Sequence, residues 1–146
     1  MKRGIVMFKI VTTPSMMEDA YSVRKQVFVL EQGVPLENEI DQYEAIATHI
    51  IGYDENNIPF ATGRFRPYDN AVKIERVAII SSHRKSGYGK LLMQFLEEIA
   101  KNQGHHSLML NAQCHAQTFY ESLGYKPFGK IFIEENIDHI AMTKSI

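Results

Sequence analysis

One cysteine among 146 residues excludes an internal disulfide framework and fits a reducing compartment. Charge of one sign is missing as well. Sixteen Lys and Arg stand against 17 Asp and Glu, for a net charge of −1, so the chain has no general attraction for a polyanion and nucleic acid is not an expected partner. Long apolar runs are absent: Ile5-Val6-Met7-Phe8 stops at Lys9, too short for a signal peptide or a membrane span. The expectation is a cytoplasmic protein with no membrane partner. The six histidines lack tight metal-ligand spacing, and His105-His106 follow a helix end, where histidine is favourable, so no metal is expected. No repeat, low-complexity tract or linker divides the chain, and the longest irregular stretch spans about residues 33–45. One domain over residues 1–146 is the simplest organisation.

What is present is a phosphate-binding turn. The β-branched run Val77-Ala78-Ile79-Ile80 ends in Ser81-Ser82-His83-Arg84-Lys85-Ser86-Gly87-Tyr88-Gly89-Lys90. An amphipathic pattern follows at once, with Leu91, Leu92, Phe95, Leu96, Ile99 and Ala100 at helical spacing. A helix start leaves backbone N–H groups without helical partners, and the helix dipole adds positive potential there. Arg84, Lys85 and Lys90 supply full charges, while Gly87 and Gly89 allow close backbone approach to a ligand. Two better-known phosphate loops fail on the residues. A Walker A loop needs Ser or Thr where Leu91 stands, and the dinucleotide fingerprint needs a third glycine where Leu92 stands.

The spacing Arg84-x-x-Gly87-x-Gly89 does match the acyl-CoA loop of the GNAT N-acetyltransferase superfamily. A second segment agrees with it. Leu108-Met109-Leu110 reads as a strand, and Asn111 to Tyr125 carries Phe119-Tyr120-Glu121 followed by Leu123-Gly124-Tyr125, with Gly124 as a helix-capping glycine. This resembles the superfamily's later motif, and the two segments occur in the expected order. The chain therefore resembles a GNAT acetyltransferase, of a small bacterial subgroup without assigned substrate, along essentially its whole length.

The elements read in sequence fit an α+β GNAT fold, a mixed central sheet of about six to seven strands flanked by helices. Ile5 to Val11 reads as a strand. A helix opens at Thr13-Pro14-Ser15, with Ser15 and Glu18 spaced as a capping box, and runs to about Glu31. Thr48 to Tyr53 and Ile58 to Arg66 form a hairpin around Glu55-Asn56-Asn57. Ala71 to Ile80 is the strand before the phosphate turn. The long helix ends near Gln103, and strands follow at Leu108 to Ala112, Tyr125 to Phe128 and His139 to Thr143.

Acyl transfer from a thioester to an amine needs a neutral amine, a polarised carbonyl and a proton for the departing thiolate. The resemblance implies that residues 84–90 (Arg84, Lys85, Ser86, Gly87, Tyr88, Gly89, Lys90) hold the pyrophosphate of acetyl-CoA, the cosubstrate. It implies backbone contacts from Val77 and Ile79 to pantetheine, helped by a bulge in that strand, and further cofactor contacts from Gln113 and Phe119. Tyr120 falls where the superfamily's motif presents a phenol to the CoA sulfur and is the expected general acid; packing is its other reading. Glu75 is the candidate base, placed by strand parity on the face of Val77 and Ile79; an ion pair with Arg76, Arg64 or Arg66 is the alternative. Cys114 beside His115 does not suggest acyl-enzyme chemistry.

Arg24 and Glu31 interrupt the apolar stripe formed by Met17, Ala20, Tyr21, Val27 and Phe28. Either Arg24, Phe28 and Glu31 line the acceptor pocket, or the two charges pair with other elements, since buried charges are costly unless paired. Glu37, Glu39, Asp41 and Glu44 read as a loop that attracts a cationic amine or is simply solvated. His49 and His139 read as satisfied core or rim histidines. The resulting expectation is an acetyl-CoA-dependent N-acetyltransferase acting on a small-molecule or peptide primary amine by direct transfer in a ternary complex. A homodimer is common among the proteins it resembles. Two rivals stand beside this: a longer-chain acyltransferase or acyl-homoserine-lactone-type synthase, and a non-catalytic CoA-binding module.

Overall fold

A computed structural model describes residues 5–146. The expectation of one domain over 1–146 thus includes four residues outside the described ones. Seven strands form one mixed sheet in the order β1-β2-β3-β4-β5-β7-β6. They are β1 Met7–Ile10, β2 Thr48–Tyr53, β3 Pro59–Tyr68, β4 Ala71–Ile79, β5 Ser107–Gln113, β6 Lys126–Glu134 and β7 Ile137–Ser145. Every pairing is antiparallel except β4 with β5.

Helices cover both faces. On one side α3 (Tyr88–Asn102) and the short α4 (Gln117–Ser122) complete the larger core. Leu92 and Leu96 on α3 are fully buried, each contributing about 1.5–3 kcal/mol by leaving water. On the other side α1 (Pro14–Arg24) buries Ala20 and Val23 against Ile51 and Ala78. The cap of α1 is Thr13, whose Oγ1 accepts the Met16 N–H at 3.1 Å, with Pro14 as the first helical residue. Ser15 and Glu18 therefore do not form the expected capping box; the cap lies two residues earlier, at Thr13.

Beyond Arg24 the helix does not continue as α. Lys25–Glu31 winds as a π-helix, a form that is rare and concentrates at functional sites. Its wider turn uses more residues per revolution, so Arg24 and Glu31 no longer share the face that α spacing gave them. A further short helix, α2 (Leu36–Glu39), lies inside the stretch read as irregular.

The feature that positions the site is in β4. Arg64 pairs with Glu75 and Thr62 with Ala78, so Gly63 alone faces both Arg76 and Val77. Arg76 sits at φ +57°. This is a β-bulge, and it resets the alternation of the strand. Val72 and Ile74, then Val77 and Ile79, face the α3 side; Ala78 faces α1. Glu75 and Arg76, neighbours in sequence, both point toward the α1 side. The parity that placed Glu75 with Val77 and Ile79 is thereby corrected, because an extra residue intervenes.

Candidate active site

Parallel pairing of β4 with β5 covers only Val72–Leu108, Lys73–Met109 and Ile74–Leu110. Past that point the strands part, at the bulge. A cavity of about 580 Å³ occupies the gap, bounded by Glu75 to Ile79, by Leu110 to Gln113 and by the end of the π-helix. It runs to Arg84, the first residue of the phosphate turn.

In that turn Lys85 and Gly87 adopt φ of +64° and +81°, after an extended Arg84; left-handed residues in a turn help aim successive N–H groups at an anion. The N–H groups of Lys85, Ser86, Gly87, Gly89 and Lys90 meet no acceptor among the described residues. A Cβ on Gly89 would stand 3.1 Å from Phe119 Cζ, so this glycine lets α4 dock on the start of α3. Phe119 thus packs against the turn and edge-on to Tyr120; it does not line the cavity. Tyr88 is buried, its ring edge-on to Phe60.

Arg84 is already engaged. Its Nη1 and Nη2 donate to Glu31 at 2.5 and 2.7 Å, and its Nε donates to the Ile79 carbonyl at 2.8 Å. The hydrogen bonds from Arg84 hold the Glu31 carboxyl below its ordinary range. Glu31 and Phe28 line the cavity, with Glu31 turned toward Arg84. One residue on, Gln32 exchanges hydrogen bonds with Gln113. The π-helix is therefore tied to both strands that flank the gap.

Tyr120 lines the cavity, 9 % exposed, and its hydroxyl has no hydrogen-bond partner among the described residues. Burial pushes its phenol up to about 12, which keeps it a proton donor at any physiological pH.

Glu75 also lines the cavity, but three cations hold it. Its Oε1 accepts from Arg64 Nη2 at 3.0 Å and from Arg66 Nε at 2.8 Å, and Lys73 Nζ lies 3.5 Å from Oε2. Burial opposes its ionisation, yet the Arg66 hydrogen bond and the charges of Arg64 and Lys73 outweigh that and lower its pKa. The ion-pair alternative is the arrangement present, with Arg64 and Arg66 rather than Arg76.

Arg24 is corrected outright as a pocket residue. It is 1 % exposed, is absent from the cavity wall, and donates to Glu39 (2.5 and 2.8 Å) and Glu44 (2.8 and 2.6 Å). The loop carboxylates follow suit. Asp41 and Glu44 both accept from Arg64, and Arg76 donates to the Glu39 carbonyl. Burial raises the pKa of Asp41, but the hydrogen bonds from Arg64 and from the Tyr43 amide prevail and hold it at about 2. The same competition, won by Arg24, holds Glu44 at about 2. Glu39, Asp41 and Glu44 are therefore neither solvated nor free for an amine, since charge pairs pin them to α1, β3 and β4, whereas Glu37 is exposed. His49 fits its reading, with Nε2 at 2.8 Å from the Glu44 carbonyl. His139 fits it as well, buried with Nδ1 2.7 Å from the Ile137 carbonyl, and it also lines the cavity.

No group of three or more metal-ligating side chains gathers among the described residues, and none of their helices is long and apolar enough to cross a membrane.

The Acetyltransferase (GNAT) domain model matches residues 14–146. An uncharacterized N-acetyltransferase of Bacillus subtilis (strain 168), YjcF, is 41% identical over 129 residues, 88% of this chain and 91% of that protein. The crystal structure of Escherichia coli ElaA superposes with a TM-score of 0.84 at 27% identity, over 97% of this chain and all of the other. A GNAT family acetyltransferase from Elizabethkingia anophelis, solved with acetyl-CoA bound, shares the fold at a TM-score of 0.75 and 18% identity, over 97% of this chain and 98% of that one. Parted strands, bulge and Arg84-x-x-Gly87-x-Gly89 turn thus occur in a chain whose sequence and fold agree, and the protein belongs to the GNAT family of acetyltransferases.

Proposed function

We propose that this protein transfers an acetyl group from acetyl-CoA to a primary amine by direct attack in a ternary complex, as a single catalytic domain in the cytoplasm. The observation that carries this is the gap between β4 and β5, which opens at the bulge and reaches Arg84, at the start of the turn that bears the open N–H groups of Lys85, Ser86, Gly87, Gly89 and Lys90. Acetyl-CoA bound to the Elizabethkingia anophelis protein supports the choice of donor.

In this reading the turn takes the pyrophosphate, with Lys85 and Lys90 adding charge. The backbone of Val77 and Ile79, freed from β5, takes the amides of pantetheine, with the Ile79 carbonyl shared with Arg84 Nε, and Gln113 stands beside them. Bulged backbone near Arg76 and Val77 polarises the thioester carbonyl. The amine nitrogen bonds to the carbonyl carbon, the carbon–sulfur bond breaks, and Tyr120 gives its proton to the departing thiolate. Holding both substrates in one cavity lowers the barrier by up to ~7–11 kcal/mol.

Calorimetric titration with acetyl-CoA, free CoA, ATP and NAD, repeated with Gly87→Glu, tests the reading. Saturable binding of the CoA species alone, lost in the variant, supports it. A folded wild-type protein that does not bind acetyl-CoA overturns it.

A further inference from the structure

We propose that His139 is the general base that removes a proton from the acceptor ammonium. This rests on the acetyltransferase reading above and adds a residue to it. His139 stands opposite Gln113 in the β5–β7 register. Leu108, Leu110 and Ala112 fill the α3-side core, so Asn111, Gln113 and His139 project from the other face, beneath the end of the π-helix. That is the side on which Glu75 and Arg76 emerge from the bulge.

The ring is fixed in orientation and in tautomer. Nδ1 lies 2.7 Å from the Ile137 carbonyl oxygen. A carbonyl only accepts, so Nδ1 carries the hydrogen and, in neutral imidazole, Nε2 carries the lone pair. Phe132, the cross-strand neighbour, stacks on the ring at 5.8 Å and 21°. Nε2 has no hydrogen-bond partner among the described residues, yet it is not among the buried polar atoms sealed without a partner. A basic nitrogen with an open lone pair in the wall of the substrate cavity is what a base requires. Glu75, the carboxylate that the sequence offered as base, is occupied by Arg64, Arg66 and Lys73.

Other charged and titratable groups share the wall. From β4 come Lys73, Glu75 and Arg76; from the β6–β7 tip come Glu134 and Glu135. His115, Tyr120, Glu31, Arg84 and Glu39 complete the set. The protons then balance. His139 takes one from the ammonium and passes it to solvent, leaving a neutral amine that attacks. The second nitrogen proton replaces the one Tyr120 gave to sulfur, so the products are the amide, the CoA thiol and one released proton.

The test uses His139→Asn, whose side-chain amide can keep the hydrogen bond to Ile137 but cannot take a proton, with His139→Gln as a second variant. Two probe nucleophiles are compared at saturating acetyl-CoA: n-propylamine, an ammonium ion at pH 7, and hydroxylamine, already neutral there. The expected result is a loss of roughly 100-fold or more in kcat for propylamine. Hydroxylamine turnover should stay within a few-fold, acetyl-CoA affinity and thermal stability should be unchanged, and the acid limb of the propylamine kcat/KM profile should vanish. Nitrogen-15 NMR of the wild-type ring should show the Nδ1–H tautomer. An Nε2–H tautomer, equal losses for both nucleophiles, or undiminished propylamine turnover overturns the proposal while leaving the acetyltransferase reading intact. Acetyl-CoA binding without turnover of either probe by wild type also overturns it; absence of acetyl-CoA binding overturns the underlying reading instead.

Discussion

Gln32 and Gln113, 81 residues apart, exchange two side-chain hydrogen bonds of 3.2 and 3.0 Å across the mouth of the gap between β4 and β5. The amide that the acyl-CoA reading assigns to pantetheine is therefore satisfied internally until a ligand competes for it. Each neutral hydrogen bond is worth about 0.5–1.5 kcal/mol net. Gln32→Ala frees Gln113 and should tighten acetyl-CoA binding by roughly 2–10-fold, whereas Gln113→Ala should weaken it. Calorimetry on the two variants gives opposite signs if the pair is a gate, and equal losses if it only braces the fold.

Glu31 places a carboxylate against Arg84 at the edge of the phosphate turn. Both side chains are more than a third exposed, so the pair contributes about 0–1 kcal/mol. Glu31→Gln removes a competitor of the pyrophosphate and should lower the Kd for CoA by up to about 5-fold, with little change in thermal stability. The effect should shrink as salt is added.

Tyr120→Phe removes the proton donor but leaves the ring packed against Phe119 and Tyr125. kcat should fall roughly 10²–10⁴-fold with acetyl-CoA affinity retained. Because the phenol is pushed up to about 12, the wild-type rate should show no alkaline limb from this group below about pH 11. An unchanged kcat in the variant would assign Tyr120 to packing alone.

Arg24 is held by Glu39 and Glu44 at near-zero exposure. Arg24→Met leaves both carboxylates without that partner in a buried setting, and breaking such a pair costs about 3–5 kcal/mol. Urea unfolding should show this loss, whereas Glu37→Gln, on an exposed residue, should be near neutral.

Acid should unfold the protein through the same network. Asp41 and Glu44 titrate at about 2 in the fold, against ordinary values of 3.8 and 4.5. Between those values the unfolded chain binds more protons than the folded one, so stability is full above about pH 4.5 and declines as pH falls toward 2. Thermal melts across this range should show the decline, and Asp41→Asn should flatten it from a lower starting stability.

Much of this arrangement is legible in the chain because it is local. The helix after Gly87, the strands around the turn at Asn56-Asn57 and the Arg84-x-x-Gly87-x-Gly89 spacing each depend on neighbours a few residues apart. Glu75 shows where that stops. Its face depends on one extra residue at Arg76, a bulge that leaves no compositional trace. Arg24 and Glu31 diverge because a π-helix, rather than an α-helix, follows α1. The acidic loop looks solvated because its partners, Arg24, Arg64 and Arg76, lie 15 to 37 residues away. His139 read as a quiet strand histidine; its tautomer is set by a carbonyl two residues off, and its setting by strands that separate elsewhere.

The bulge at Arg76 has a consequence for which side chains the strand presents to each of its faces. Upstream of it, odd-numbered side chains face α1; downstream, even-numbered ones do. The strand thereby turns Glu75 and Arg76 toward the α1 side and its apolar Val77 and Ile79 toward α3. Both sets of side chains border the same cavity, and the extra residue works as a phase shift between them. Deleting Arg76 would restore perfect alternation with Val77 and Ile79 still on the α3 side, so what the extra residue adds is the bulged backbone itself and a second consecutive charged side chain on the α1 side.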